Sequence, residues 1–528
     1  MYVSLEVGYA KLMEFVFNFT RVYVEKEFEV NYNIVLDSIK GNLTSNQQNS
    51  IDALGKLFES TSILITNFTF IDQVFDTKDF LKLLKNLQST IQTCSLRYLD
   101  IFAKNWKLNE LIHQKPDGSY LVRSTEVGEI TALLDDIVLI MCHVEAYRRF
   151  IRRHYEVSTT KLANKGFTFY DQPNVKEVGM ELNISNYIEE PEGLYTHVDG
   201  LAKIYCSIDA IYVDMATCDI FQITEFVPNQ KVSSSISDFF FIIQKLLDRS
   251  LRTQDLLIIH QICLNVLNLI QKKIIPDILQ KYSQSQPNAK TLFSSSKNYT
   301  IHLNDLVLSA TFATDLKDGV LKKIRKKSTS QDVDKVIDTL DRIIKVFNDA
   351  SLEIVTHLTN ISMDNLMPFL YLLTKSNYQM TTNDFNKAQS NDLWVNNFLE
   401  NVKSILSQLE DYLTPESRDL YIPTLVKSVV SQIENIVISK YFSQYGGLQF
   451  DSDVQKIMRF FESRTSKTVR DSFQRLNEIK DLLVLEKPSE VLDYWGEVKW
   501  SLTAVEVKMF LKRRSDFPVG SIDKLKIV

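Results

Sequence analysis

Turn-forming residues are scarce along this chain. It has 14 glycines and 11 prolines in 528 residues, whereas the two together make up about 12% of an average protein. Glycine and proline are the strongest local breakers of regular structure. A chain with so few of them is therefore expected to form long, uninterrupted secondary-structure elements. Apolar residues recur at the spacing of one helix face, so the sequence predicts an all-α protein made of consecutive antiparallel helical bundles.

One segment carries the clearest helical pattern. From Asp332 onward a single stripe of apolar residues recurs every three or four positions, which is typical of an amphipathic helix. A second stripe runs from Phe398 to Leu413 and stops where Thr414 and Pro415 provide a new helix start. The first stripe consists of Val333, Ile337, Leu340, Ile344, Phe347, Ile354, Leu358 and Ile361.

Turn residues and polar runs divide the chain. Seven of the 25 glycines and prolines cluster between residues 156 and 230, and a polar run without helical periodicity occupies residues 283–298. Between these breaks, Ser237 or Asp238 is expected to cap a helix, and Pro276 to interrupt the next one. The predicted domains are a helical bundle at 1–155, an irregular loop-rich insertion with short helices at 156–235, a bundle segment at 236–282, the polar linker at 283–298, a bundle at 299–445 and a small C-terminal bundle at 446–528.

Charge and cysteine usage narrow the class of protein. The net charge of −6 argues against a nucleic-acid-binding protein, which normally has a basic excess. The five cysteines form no C-x-x-C and their number is odd, which is typical of buried thiols in a reducing compartment. No uncharged apolar run reaches the ~18 residues of a membrane span, and the first residues lack the pattern of a signal peptide.

Catalytic motifs are incomplete. Helical prenyl-diphosphate and terpene synthases hold Mg²⁺ with D-D-x-x-D, but here Leu139 follows Asp135 and Asp136 at the third position. Their second motif begins at 391–393 and lacks its serine and glutamate, because Val395 and Leu399 stand there.

Other chemistries have equally little support. A zinc deaminase needs H-x-E and a later P-C-x-x-C, and only His143 and Glu145 are present. Nucleotide-binding glycine loops and serine-hydrolase motifs are missing from the sequence. We therefore predict no catalytic residues, no cofactor and no metal, and keep a Mg²⁺-dependent helical synthase only as an unlikely alternative.

The last eighty residues contain closely spaced signals for helix starts and helix ends. Gly446 and Gly447 are expected to end one helix, and Asp451, Ser452 or Asp453 to cap the next. Pro488 or Ser489 starts a short helix. Two further signals follow, the capping-box sequence from Thr503 to Glu506 and the cations of a helix end at Lys512, Arg513 and Arg514.

The sequence of this segment resembles subunit 4 of the conserved oligomeric Golgi complex, a family of vesicle-tether subunits. Leu393 departs from the family pattern, which tends to have proline there. The matching pieces are G-G-L-Q-F-D at Gly446–Asp451, V-R-D-S-F at Val469–Phe473, L-D-Y-W-G at Leu492–Gly496 and L-T-A-V-E-V at Leu502–Val507, with fainter matches at Asn391–Val395 and Ala146–Arg153.

The resemblance implies an elongated rod without catalytic activity. It implies a cytoplasmic, peripheral protein on the cytosolic face of Golgi membranes that acts in intra-Golgi retrograde transport. The implied partners are sibling subunits of the tethering complex, Golgi SNAREs of the syntaxin type and a Sec1/Munc18 protein. Family members carry an N-terminal coiled-coil region, which this chain is expected to lack. A subunit of another helical-rod tether, as in exocyst-type complexes, stays open as an alternative.

Five residues near the C-terminus are the candidate interaction or salt-bridge residues. The resemblance favours an ion pair between Arg470 and Glu506 that locks the last small bundle, although the capping box also explains Glu506 locally. Asp493, Tyr494 and Trp495 form either an exposed anchor or, as the neighbouring Leu492 favours, a buried packing element. Two basic clusters, 148–153 and 322–327, are explained either by acidic partners or by solvated helix ends.

Overall fold

Helices make up nearly all of the structure. The computed structural model describes residues 2–40, 46–71, 77–114, 120–122, 127–164, 192–222, 230–285, 298–324, 331–390, 393–495 and 500–527. The predicted all-α class is confirmed. The described residues add one short antiparallel pair, β1 (Ile112–Gln114) and β2 (Tyr120–Val122), in which Ile112 lies opposite Val122.

The helices follow one another in both halves of the chain. The first half contains α1 (Tyr2–Lys40), α2 (Asn46–Ile71), α3 (Thr77–Asn105), α4 (Leu108–Leu111), α5 (Val127–Asn164), α6 (Glu192–Gln222), α7 (Ser234–Thr253), α8 (Leu256–Leu269) and α9 (Ile275–Ser285). The second half contains α10 (Asn298–Ile324), α11 (Gln331–Lys375), α12 (Thr382–Ser390), α13 (Leu393–Glu410), α14 (Pro415–Val437), α15 (Gln444–Glu462), α16 (Gln474–Val484), α17 (Val491–Tyr494), α18 (Ala504–Leu511) and α19 (Val519–Asp523).

The chain divides into two compact units, and each is assembled from three segments. The first unit contains Met1–Ile223, Phe241–Asn268 and Lys317–Leu340. In it, α1, α2 and α3 pack on one another, and α5 packs on α2, α3 and α6. Its core includes Leu54, Ile91, Leu133, Ile137 and Tyr205, all of them fully buried.

The second unit contains Thr224–Phe240, Leu269–Leu316 and Asp341–Val528. In this unit, α15 packs on α12, α13 and α16, and α16 packs on α18. Its core includes Phe347, Tyr421, Val429, Phe450 and Phe473, which are again fully buried. This unit holds all five candidate residues near the C-terminus.

Local signals place several helices correctly. The predicted helix from Asp332 is confirmed as the 45-residue α11, although Val336 and Ile343 are buried where Ile337 and Ile344 were expected. The predicted start at Thr414 is also confirmed, because its side chain accepts a hydrogen bond from the Ser417 amide.

Two other expectations need correction or refinement. The expected cap at Ser237 or Asp238 is wrong, because α7 already begins at Ser234. The interruption near Pro276 takes the form of a π-helical turn at Ile270–Ile274, closed by the bond from the Ile275 amide to the Ile270 carbonyl. This wider turn lies just before the proline, which has no N–H to donate to the preceding turn.

The stretch expected to be an irregular insertion differs from the structure. Where short helices were expected, α5 continues to Asn164 and α6 extends over 31 residues. The other parts of that expectation, residues 165–191 and 223–229, lie outside the described residues, as do residues 286–297 of the predicted linker. Leu393, where the family tends to have proline, is the first residue of α13, a position at which proline is tolerated in a helix. The predicted domain boundaries stay a prediction.

Candidate functional site

Gly446 and Gly447 do not end a helix, and that prediction is wrong. They lie in the first turn of α15, which Ser443 caps by accepting a hydrogen bond from the Gly446 amide. A Cβ on Gly446 would lie 1.6 Å from the carbonyl oxygen of Tyr378, and one on Gly447 would lie 2.1 Å from that of Leu483. Glycine is needed here because two other backbone segments touch the helix.

Asp453 is a buried hydrogen-bond centre rather than a helix cap. Neither it nor Asp451 or Ser452 caps a helix, because all three lie inside α15. Its Oδ2 accepts from the hydroxyl of Tyr378 at 2.6 Å and from Nε1 of Trp394 at 3.2 Å. Its Oδ1 accepts from Gln449 Nε2 at 2.8 Å. The N-D-L-W-V and G-G-L-Q-F-D segments, more than fifty residues apart, therefore meet at one carboxylate.

Phe442 joins three distant backbone segments beside this centre. Its amide donates to the Arg513 carbonyl at 2.8 Å, and its carbonyl accepts from the Ser515 amide at 2.8 Å. The next amide, of Ser443, donates to the Tyr378 carbonyl at 3.0 Å. The Phe442 ring lies 5.1 Å from that of Tyr378, so aromatic packing and backbone bonds coincide. Phe442, which is fully buried, thus lies at the core of the C-terminal bundle.

The predicted ion pair between Arg470 and Glu506 is wrong. Arg470 Nε instead bonds to Glu462 Oε1 at 2.5 Å, and its side chain is 74% exposed. Arg470 is the first residue of a short 3-10 turn that precedes α16. The partner of Glu506 is Arg475, whose Nη2 lies 2.8 Å from Glu506 Oε1.

Arg475 connects several elements of the bundle. Its Nε lies 3.3 Å from Glu434 Oε2 on α14, and its Nη1 donates to the Ser501 carbonyl at 3.1 Å. The predicted capping box is confirmed, since the Thr503 side chain accepts from the Glu506 amide while Glu506 accepts from the Thr503 amide. The hydrogen bond from Arg475, with that from the Thr503 amide, lowers the pKa of Glu506 to about 2.

One turn further along α16, Glu478 makes a second set of hydrogen bonds to the segment before α18. The sequence did not predict this contact. Its carboxylate accepts from the Ser501 amide at 2.9 Å and from the Leu502 amide at 2.9 Å. Arg475 and Glu478 are three residues apart, so they share one helix face. Together they fix the segment that leads into α18.

Arg514 is a buried anchor rather than an exposed helix-end cation. Its Nη1 donates to the carbonyls of Leu483 at 2.6 Å and Leu485 at 2.8 Å. Its Nε and Nη2 form a two-point pair with Asp516 at 2.9 and 2.8 Å. The guanidinium also lies 4.2 Å from the centre of the Phe517 ring. No local sequence pattern distinguishes it from its exposed neighbour Lys512.

The short helix α17 presents side chains to solvent. Leu492, Asp493 and Tyr494 are exposed, so the expectation of a buried packing element does not hold for them. Trp495 is half-buried, and its ring lies 5.4 Å from that of Trp500. The five candidates therefore separate into the capping residue Glu506, the surface residue Arg470 and a group at 493–495, in which Asp493 and Tyr494 are exposed and Trp495 is half-buried.

The basic clusters are partly engaged within the protein. The guanidinium of Arg148 lies 4.9 Å from the Tyr195 ring centre, and Arg149 bonds to Glu145 at 2.8 Å and to Gln254. In the second cluster Lys323 bonds to Asp248. Residues 325–327 lie outside the described part of the chain.

The described residues of the synthase and deaminase half-motifs contact other groups of the protein. Asp135 Oδ1 accepts from Arg249 Nε at 3.0 Å, while Asp136 Oδ2 accepts from Trp106 Nε1 at 3.0 Å. His143 lies against Gly55, where an added Cβ would be 2.9 Å from its Cε1. Among the described residues no three His, Cys, Asp or Glu side chains are grouped so as to hold a metal ion. Residues 391 and 392 lie outside these residues.

A broad apolar face on α1 is exposed. Phe15 and Phe19 are 66% and 52% exposed, and their rings stack at 6.3 Å. The opposite face of the helix packs into the unit through Met13, Val24 and Phe28. Helical spacing predicts one apolar stripe, and here the helix carries two. The outer stripe consists of Val7, Leu12, Phe15, Phe19, Val22, Tyr23, Val30 and Ile34.

No helix of the described residues combines the length and the apolar character needed to cross a bilayer.

Comparison with known families gives matches over most of the chain. Residues 299–509 match the family model "Conserved oligomeric Golgi complex subunit 4, C-terminal". Residues 21–282 match the model "COG4 transport protein, middle alpha-helical bundle".

Several relatives named conserved oligomeric Golgi complex subunit 4 are similar to the chain. The Arabidopsis thaliana protein is 24% identical over 459 residues, which cover 82% of this chain and 58% of the relative. The Mus musculus protein is 21% identical over 531 residues, which cover 90% of this chain and 66% of the relative. The Dictyostelium discoideum protein is 30% identical over 229 residues, which cover 41% of this chain and 25% of the relative. The chain thus spans at most about two thirds of the length of these relatives.

Among solved structures, the C-terminal domain of the exocyst subunit Sec6p is similar to the chain at a TM-score of 0.43. It is 12% identical, and the match covers 63% of this chain and 89% of that domain.

Proposed function

Because the chain belongs to the family of conserved oligomeric Golgi complex subunit 4, we propose that it is a non-catalytic subunit of a Golgi vesicle-tethering complex. It works in intra-Golgi retrograde transport as a peripheral protein on the cytosolic face of Golgi membranes. Its partners are sibling subunits, Golgi SNAREs and a Sec1/Munc18 protein. In this function the helical units act as a physical link, and no bond is made or broken.

The observation that carries the proposal is the outer face of α1. Large apolar side chains at Phe15, Phe19, Val30 and Ile34 are each at least half exposed. Contiguous exposed apolar surface is uncommon on soluble monomers and marks sites of protein association. A helix of a sibling subunit with its own apolar stripe fits this face, because helices pack through such stripes. The occupant we propose is therefore a sibling subunit.

Support also comes from what buried residues of the C-terminal segment do. Asp453, Gly446 and Arg514 hold the bundle together through buried contacts and present no reactive group to solvent. Such residues maintain a scaffold. Contacts with SNAREs and a Sec1/Munc18 protein would then use exposed side chains, of which the group at 493–495 is the first choice.

The test is isolation of the tagged, full-length protein from its own cells, followed by identification of the co-purifying proteins. The expected result is recovery of the other Golgi tether subunits. Recovery of exocyst-type subunits, or of none from a folded and abundant protein, would overturn the proposal.

A matched pair of variants tests the surface. Phe15→Ser with Phe19→Ser should reduce recovery of the siblings at least several-fold. Phe241→Ser, which removes another aromatic that is 72% exposed, should leave it unchanged. Equal recovery with both would exclude α1 as the docking face.

A further inference from the structure

A charged pair lies buried between two helices of the first unit. Asp209 on α6 and Arg249 on α7 have side chains that are 0% and 3% exposed. Arg249 Nη1 lies 3.8 Å from Asp209 Oδ1, too far for a hydrogen bond. Arg249 Nε bonds instead to Asp135 Oδ1 on α5 at 3.0 Å. The pair is therefore close enough for attraction, but it does not satisfy its own hydrogen bonds.

Several polar atoms at this place lack a protein partner. Within the described part of the chain, neither Asp209 oxygen, neither Arg249 Nη atom, nor the Tyr205 hydroxyl makes a hydrogen bond. Tyr205 stands four residues before Asp209, so both project from one face of α6. An unsatisfied buried polar group destabilises the folded state, and a charged one does so more strongly. Five such atoms on three side chains require a common explanation.

We propose that ordered water binds between Asp209, Arg249 and Tyr205 and joins α6 to α7. Water can bind both kinds of group, because it donates hydrogen bonds to the Asp209 carboxylate and accepts them from the Arg249 guanidinium. A water about 2.8 Å from each of two atoms that are 3.8 Å apart completes a triangle of ordinary hydrogen bonds. Buried waters typically have two to four such partners.

The charges at the site exclude other ligands. A bound anion would face the carboxylates of Asp209 and Asp135, and a bound cation would face Arg249. A neutral molecule that both donates and accepts hydrogen bonds is compatible with the negative carboxylates and with the positive guanidinium. The Arg249 guanidinium also lies over the Tyr212 ring, 5.7 Å from its centre, and this cation–π contact helps to hold it in place.

The site also affects the pH dependence of folding. Burial raises the pKa of Asp209 to about 7, against the attraction of Arg249. The folded state therefore binds the proton more tightly than the unfolded state, so the free energy of unfolding falls as pH rises from about 4 to about 7. The groups that act electrostatically in this cluster are Arg249, Asp135, Tyr205, Cys206 and Asp255.

A crystal structure of the chain at a resolution that resolves water is the first test. The expected result is density within about 3.2 Å of both Asp209 and Arg249. A dry gap, or direct bonds between the two side chains without water, would overturn the proposal.

Two tyrosine-to-phenylalanine variants allow a second test, in solution. Tyr205→Phe should lower the Tm by several degrees, because it removes a hydroxyl bonded to water. The control is Tyr98→Phe, which removes a buried hydroxyl bonded to the Phe28 carbonyl at 3.3 Å and should lower the Tm similarly. A Tm that stays constant or rises in Tyr205→Phe contradicts the proposal, because removing an unsatisfied hydroxyl is neutral or stabilising.

Discussion

Arg475 Nη2 lies 2.8 Å from Glu506 Oε1, so the carboxylate that caps α18 is also held by a cation on α16. Glu434 on α14 lies on the other side of the same guanidinium. Three helices of the C-terminal bundle are thus connected through one side chain. Arg470, five residues earlier, has no part in this connection.

Arg475→Met keeps most of the side-chain stem and removes these bonds. We expect the free energy of unfolding to fall by about 1–2 kcal/mol, at the low end for hydrogen bonds to charged groups because Arg475 is partly exposed. Urea denaturation measures the change. Arg470→Met is the control, and it should leave the free energy of unfolding nearly unchanged, because the Arg470 ion pair is exposed to solvent. Equal losses in the two variants would refute the assignment.

Glu506 makes the bundle sensitive to acid. Its folded pKa of about 2 lies below the unfolded value of about 4.3. Its contribution is therefore complete above pH ~4.3 and is lost as pH falls towards 2. In a series of Tm measurements across this window, Glu506→Gln should show a shallower fall than the wild type. Parallel curves would mean that other carboxylates control the acid response.

Arg514→Met leaves buried carbonyls of Leu483 and Leu485 without donors. Breaking a buried charged network by removing one partner costs about 3–5 kcal/mol, and this is the expected loss in chemical denaturation. Arg513→Met is the matched control. Its guanidinium lies 5.2 Å from the Tyr441 ring centre, a contact worth about 0.5–1 kcal/mol. A small effect of both variants would show that Arg514 is replaceable by apolar packing.

Gly447→Ala tests the close approach of α15 to Leu483. Alanine normally stabilises a helix by about 1 kcal/mol relative to glycine. Here its Cβ would lie 2.1 Å from a backbone oxygen, so we expect a loss of about 1–3 kcal/mol or more. Gly520→Ala in α19 meets no atom within 4 Å and should be neutral or slightly stabilising. Opposite signs in a thermal-melt comparison are the expected outcome, and a gain in both would contradict it.

Asp453→Ala removes the common acceptor of Tyr378 and Trp394. The Tyr378 hydroxyl and Gln449 Nε2 lose their buried bonds to the carboxylate, while Trp394 Nε1 keeps its 3.1 Å bond to the Tyr378 hydroxyl. We therefore expect the free energy of unfolding to fall by about 2–4 kcal/mol. Near-ultraviolet circular dichroism should change at the same time, since Tyr378 and Trp394 are aromatic. Asp481→Ala removes a carboxylate that is 68% exposed and should have little effect. Retained stability in Asp453→Ala would mean that the buried network adds nothing to the fold.

Local sequence patterns were sufficient where the interacting groups are close along the chain. The start at Thr414 depends on a residue three positions away, as does the capping box at Thr503. The α11 stripe repeats every three or four residues, so it is readable without knowing what covers it. Such features depend on helix geometry alone.

The helical class and these helix starts can be predicted from local sequence, because their physics is contained in a few consecutive residues. Tertiary packing sets the contact of Glu506 with Arg475 rather than Arg470, and the close approach at Gly446 in place of a turn. It also decided that Arg514 and Asp453 are buried centres. Their partners lie up to 75 residues away in the chain, and burial and hydrogen bonding between such positions follow from packing, which has no period in the sequence.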